Sequence, residues 1–215
     1  MSARGAPFTD RREAGALLGA ELATRGIPDP VVLGLARGGV PVAAEVAAAL
    51  GAPLDVLVAR KIGAPEQPEL GIGAVAEEGV AVIDRGTVAA LGIGDRELEA
   101  LAARERVELE RRVRAYRGGR PPVPLDGRTA VVVDDGLATG VTAAAGAGAV
   151  ARRGAARVVI AAPVCPAETA DALAHAVDEV VCLMRPAPFH AVGAYYEDFG
   201  QLADEDVTRA LRGAP

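Results

Sequence analysis

The chain has no tryptophan, and its three tyrosines and three phenylalanines make up 3% of 215 residues. A core of large rings is excluded, so Ala, Val, Leu and Ile must fill the interior. Cysteine and histidine number two each, and Cys165 and Cys182 lie at no metal-ligand spacing, which argues against a zinc site or a disulfide framework. Both cysteines read as small apolar fillers in a reducing compartment. A basic excess is missing too: the formal net charge is -6, which disfavours broad binding to nucleic acid or an anionic membrane. No stretch of about 20 uncharged apolar residues occurs, and MSARGAPFTDRREAGALL contains no apolar segment with a cleavage signal. A cytoplasmic protein is expected.

What is present is the ordinary balance of a folded domain, 51% hydrophobic and 24% charged. The length suits one domain, taken as residues 1–215, with a substantial core. Thr9 or Asp10 can cap a first helix through Thr24, after which VVLGLA reads as a buried strand, Arg37-Gly38-Gly39 as a loop and PVAAEVAAALG as a helix. PLDVLVA completes a β-α-β unit. RKIGAPEQPELG, which fills residues 60–71 of a segment taken as 60–72, carries two prolines and is predicted to be a long mobile loop. IGAVAEEGVAVID then forms two short strands about Glu77-Glu78-Gly79, and residues 95–117 form a charged helix, a solvated face over the core or a dimer contact. From TAVVVDD to EVVCLM, strands again alternate with helices. This order predicts an α/β fold, a doubly wound, mainly parallel twisted sheet covered on both faces. Ligands should sit at the carboxyl ends of its strands.

VVVDDGLATGVT, Val131 to Thr142, joins two acids to a glycine- and threonine-containing loop that opens a helix. The N–H groups of Ala138, Thr139, Gly140, Val141 and Thr142 can converge on an anion there, and the two threonine hydroxyls add donors. A hairpin turn at Asp135-Gly136 is a weaker reading, because the residues that follow are alanine-rich rather than β-branched. Asp134 and Asp135 can cap or begin a loop, but they also complement vicinal hydroxyls some residues away from the phosphate. The guest suggested by the residues alone is a sugar phosphate.

The stretch resembles the phosphoribosyl diphosphate (PRPP) signature of the type I phosphoribosyltransferases, and its DDGLATGVT portion is especially similar to the adenine version. Leu35-Ala36-Arg37-Gly38-Gly39 resembles the family's pyrophosphate loop, and Arg60-Lys61 resembles the basic pair opening its flexible active-site loop. The likeness covers roughly Val31 to Phe199, with a core of about 31–185 and a C-terminal hood of about 186–200. It implies a Mg2+-dependent pentosyltransferase that moves 5-phosphoribosyl from PRPP to a nitrogen heterocycle, with a purine-like base expected, and a homodimer. Asp134 and Asp135, with Gly136 between them and the phosphate loop, would hold the ribose hydroxyls and, through them or water, the metal. Arg37, Gly38, Gly39, Arg60 and Lys61 would receive pyrophosphate, Lys61 counting among the catalytic residues. Ala138 stands where hypoxanthine-guanine enzymes carry a further aspartate. Glu69, ahead of Leu70-Gly71, loosely resembles the Glu of the Glu-aromatic-Gly stretch of adenine enzymes, which makes it a candidate proton donor or acceptor, with substrate or solvent as the alternative.

The hood segment PAPFHAVGAYYEDFGQ gathers Phe189, Tyr195, Tyr196 and Phe199 in a chain otherwise almost free of rings. It reads either as a small satellite core or as a stacking platform for a base, with Asp198 or Glu197 accepting ring N–H bonds. His190, in the same segment, reads as a structural hydrogen-bonder. A PRPP-sensing regulator without catalysis is the alternative, and PRPP synthesis would need an ATP site for which no P-loop is present.

Overall fold

The structure is a computed structural model that describes residues 8–213. Helix α1 (Arg11–Ala23) begins where the Asp10 carboxylate accepts from the N–H groups of Arg12 and Glu13, the cap expected from the sequence. Strand β1 (Pro30–Leu35), helix α2 (Gly39–Leu50) and strand β2 (Leu54–Leu57) form the first β-α-β unit. Strand β6 (Thr129–Val133), helix α5 (Val141–Arg152), strand β7 (Arg157–Val164), helix α6 (Ala167–Ala174) and strand β8 (Glu179–Met184) repeat the pattern. All five strands are parallel, in the order β2-β1-β6-β7-β8. The expected doubly wound α/β fold is the one observed.

The alternation of the sheet builds two cores. Leu33, Val132 and Ile160 point to one face, packed under α5 and α6, while Val32, Val131 and Val159 point to the other, packed under α1 and α2. Helices on both faces are why these strands read as continuous apolar runs rather than alternating ones. Alanine and valine make up most of the helix side chains in these two cores, as the shortage of rings requires.

The prediction for residues 60–72 needs correction. Ala59–Gly63 is strand β3, antiparallel to β4 (Gly71–Ala76), and β5 (Ala81–Ile83) completes a separate three-stranded sheet. Ile62 is fully buried with Ile72 and Val75, which fixes the strand, and the prolines are confined to a turn closed by Ala64 N–H donating to Leu70 C=O at 2.9 Å. The two strands expected about Glu77-Glu78-Gly79 are β4 and β5. After α3 (Arg85–Ala90), helix α4 (Asp95–Arg117) has a charged outer face but buries Leu98, Ala102, Leu109 and Tyr116. A 3-10 turn (Val192–Tyr195) and helix α7 (Asp204–Arg212), neither of them predicted, follow the sheet, and Val207 and Leu211 seat α7 in the same apolar cluster as α4.

The hairpin sheet is pinned to the body by a buried ionic network. Arg117 donates to Glu77 at 2.6 Å and to the Val56 carbonyl at 3.0 Å, and lies 3.6 Å from Asp55. Glu77 also accepts from Val58 N–H, and Asp55 accepts from Val56 and Val123 N–H. Removing one partner strands the opposite charge away from water. Glu77→Ala is therefore expected to cost about 3–5 kcal/mol of unfolding free energy, read as a lowered urea midpoint, whereas a loss below about 1 kcal/mol would mean the network does not hold the hairpin.

Candidate active site

Strand order reverses between β1 and β6, and the helices that follow them leave toward opposite faces. A crevice results at the carboxyl ends of these two strands, the usual ligand position in an open α/β sheet. Arg37-Gly38-Gly39 leaves β1 on one side, and Asp134-Asp135 leaves β6 on the other. The loops touch: a Cβ on Gly38 would lie 2.1 Å from Asp135 Oδ2, so no other residue fits there without displacing the carboxylate. The Ala36–Arg37 peptide is cis.

Beyond the acids the chain turns through Gly140, whose φ of 72° suits glycine and whose missing Cβ leaves room for Thr169. The Thr169 hydroxyl donates to the Ala138 carbonyl at 2.6 Å and supports the loop from α6. Among the described residues, the N–H groups from Ala138 to Thr142 have no protein acceptor, and they stand at the N-terminus of the 12-residue helix α5. That is the geometry of an anion cradle. Gly136 lies buried beneath Val192, which couples the loop to the 3-10 turn.

The two carboxylates are not equivalent. Asp135 Oδ2 accepts from Arg11 Nε at 2.8 Å, while Asp134 Oδ1 accepts from Asp135 N–H at 2.9 Å and has no cationic partner among the described residues. Burial raises the Asp134 carboxyl well above its ordinary range, and the neighbouring Asp135 charge raises it further. Burial also raises Asp135, opposed by its hydrogen bond to Arg11. The pair therefore favours a guest that supplies hydroxyl donors or positive charge.

Arg11 was not anticipated from the sequence. It sits 124 positions before Asp135, on the first turn of α1, with no local signal linking the two. The hood rings divide. Tyr196 is buried, its hydroxyl donates to the Asp135 carbonyl at 2.5 Å, and it packs against Phe8 and Phe199. It braces the acid pair and has no free face to offer a base, contrary to the platform reading. Phe189 and Tyr195, stacked 5.7 Å apart and half-buried, keep that option. Asp198 is exposed, and its carboxylate accepts from Gly200 N–H within its own turn.

The predicted basic groups are at rest in ion pairs. Arg37 lies 3.9 Å from Asp204 at the start of α7, and Arg60 is bound to Glu105 of α4 at 2.7 Å. Lys61 donates to the Glu69 carbonyl at 2.9 Å, with the Glu69 carboxylate 3.4 Å away. Arg60, Lys61 and Glu69 line a cleft of about 500 Å3 between the hairpin and α4, and none of them touches Asp134 or Asp135.

A switch-point crevice with paired acids and an amide cradle agrees with a sequence match to the phosphoribosyl transferase domain model over residues 12–197. The chain belongs to the phosphoribosyl transferase family. Two curated Mycobacterium tuberculosis proteins with provisional phosphoribosyl transferase names, from strains CDC 1551 and H37Rv, are each 47% identical to it over 204 residues. The alignment takes in 95% of this chain and 46% of theirs, so the chain spans about half the length of the curated relatives it matches. The crystal structure of TT1426 from Thermus thermophilus superposes with a TM-score of 0.80 at 48% identity, over 97% of this chain and 100% of that one. No described helix of this phosphoribosyl transferase-family chain is long and apolar enough to cross a membrane.

The raised Asp134 carboxyl has a consequence for stability. Its folded value lies above the ordinary 3.8, so the folded chain keeps this proton to higher pH than the unfolded chain does. The contribution of the group is complete below about pH 4 and is lost as pH rises through the folded value. Asp134→Asn should therefore stabilise the unliganded protein at pH 7 by on the order of 1 kcal/mol, about 2–4 °C in Tm for a chain of this size. Melting curves of variant and parent should converge at about pH 4; a gain that persists there would sink the assignment.

Proposed function

We propose that the chain transfers a 5-phosphoribosyl group from PRPP to a nitrogen acceptor and releases pyrophosphate. The observation that carries this reading is the joining, in one crevice, of a carboxylate pair with an anion cradle a few residues further along the same loop. A sugar phosphate is long enough to engage both. The 5'-phosphate occupies the amides of Ala138 to Thr142, with the Thr139 and Thr142 hydroxyls as further donors. Asp134 and Asp135 accept the ribose 2'- and 3'-hydroxyls and favour positive charge developing on the sugar ring as the bond to pyrophosphate lengthens. Arg37 and the loop amides of Gly38 and Gly39 lie across the crevice, suited to the departing diphosphate.

The oxygen-only set of Asp134 and Asp135 suits a hard cation, and no cluster of three metal-ligating side chains occurs among the described residues. These residues fit a Mg2+ ion that arrives on the diphosphate and retains much of its water. When bound, that ion would neutralise charge on the leaving group. Arg60 and Lys61 serve the diphosphate once their pairs with Glu105 and Glu69 open, and closure of the 64–70 turn would then exclude water. Glu69, tied to Lys61, is the candidate to handle a proton at the acceptor. Phe189 and Tyr195 offer a stacked surface suited to a planar, purine-like base, with Asp198, three residues beyond Tyr195, as the acceptor.

The decisive measurement is pyrophosphate release from PRPP and Mg2+ with a panel of purines, pyrimidines and other nitrogen heterocycles. Release dependent on one base is the expected result; PRPP binding without release by any of them would favour a PRPP-sensing regulator. Asp135→Asn and Thr142→Val should each lower kcat/KM for PRPP by about tenfold or more, by loss of a hydrogen bond to a charged group or its equivalent. Unchanged kinetics in both would remove the donor site from this loop.

A further inference from the structure

The proposed donor site leaves Arg11 without a role, yet this side chain makes three separate contacts at its edge. Its Nε donates to Asp135 at 2.8 Å, its Nη1 donates to the Gly200 carbonyl at 3.0 Å, and its guanidinium lies 4.0 Å from the centre of the Phe199 ring. The side chain is only 11% exposed. An arginine fork can serve an acid, a carbonyl and a ring face at once, which the single ammonium of lysine cannot.

Around Arg11 the start of the described chain is stitched to the 195–198 segment. Phe8 N–H donates to the Tyr195 carbonyl, Glu197 N–H to the Phe8 carbonyl and Asp198 N–H to the Thr9 carbonyl, at 2.7, 2.7 and 2.9 Å. Tyr196 adds the bond from its hydroxyl to the Asp135 carbonyl. Asp135 is thereby held from three directions: Arg11 at its carboxylate, Tyr196 at its carbonyl and Gly38 where a side chain would otherwise intrude. Asp134 has no such clamp.

We propose that Arg11 is a positioning residue that fixes Asp135 and ties the 196–200 segment to it, so that occupation of the donor site is transmitted to the segment next to the acceptor side. This inference rests on the donor reading above. It divides labour within the acid pair: Asp135 is the pre-set carboxylate, and Asp134 the one left to adjust to the sugar. Ordering of the 196–200 segment then follows donor binding, because Arg11 spans both.

The test compares the full-length parent, Arg11→Gln and Arg11→Lys, using PRPP with Mg2+ and, separately, inorganic phosphate as probes. Calorimetry should show PRPP binding weakened by about tenfold to a hundredfold in Arg11→Gln, the range for losing hydrogen bonds to a charged group, with phosphate binding unchanged because it reports the 138–142 cradle alone. Arg11→Lys, which keeps the charge but loses the fork, should recover only part of the PRPP affinity. In hydrogen exchange, PRPP should slow the Glu197 and Asp198 amides of the parent and not those of Arg11→Gln, while slowing residues 138–142 in both. Equal PRPP affinity in parent and Arg11→Gln, or ligand-induced protection of Glu197 and Asp198 that survives the substitution, would overturn the role of Arg11 and leave the donor reading standing. Absence of protection at 138–142 in the parent would instead overturn the donor reading, and this inference with it.

Discussion

The contact between the Asp135 carboxylate and Gly38 governs the arrangement of the whole crevice. It exists because β1 and β6 are hydrogen-bonded neighbours whose following helices depart to opposite faces, leaving two loops to meet over the strand ends. A larger residue at position 38 would drive the carboxylate from its pocket and away from Arg11. The brace from Tyr196 and the fork of Arg11 converge on that same Asp135, and the cradle at the start of α5 follows it a few positions along the loop. Packing of alanine and valine on both faces supplies the rigidity behind it.

The resting electrostatics are those of a site arranged for exchange of partners. Buried acids hold their protons more firmly than usual, and the basic side chains suited to a diphosphate are each engaged with a carboxylate: Arg37 with Asp204, Arg60 with Glu105, Lys61 with Glu69. Most of these pairs are partly exposed, where an ion pair contributes little. A polyanionic guest can displace them at small cost. The Arg117 network is the opposite case, buried and linked to backbone groups, and it belongs to the architecture rather than to the site.

Much of this was legible in the sequence because it is local. Strand, loop and helix succeed one another at short range around VVVDDGLATGVT, and continuous apolar runs alternating with helices sufficed for the parallel sheet. What escaped reading was made by residues far apart in the chain. Arg11 reaches Asp135, Arg117 reaches Glu77 and Asp204 reaches Arg37, and no spacing rule connects them. Strand β3 was hidden for a different reason: Pro65 and Pro68 dominate the stretch, yet they occupy only its turn, and a buried Ile62 decides the rest. Tyr196 could not be assigned between the two readings because an aromatic cluster looks alike as a ligand platform and as a brace, and only burial separates the two.

The ionic network also sets how the β3–β4 arm can move. Glu77 sits where β4 ends and grips Val58, the residue before β3, so both strands of the arm are fastened at the same height. Pro65 through Leu70, at the far end, are exposed and held mainly by their own turn. Because Ile62 and Ile72 are buried against the body just before the turn, the arm is held along most of its length and freedom to move is confined to its tip. Arg60, near the root, would then move little, and Glu69, near the tip, would travel furthest.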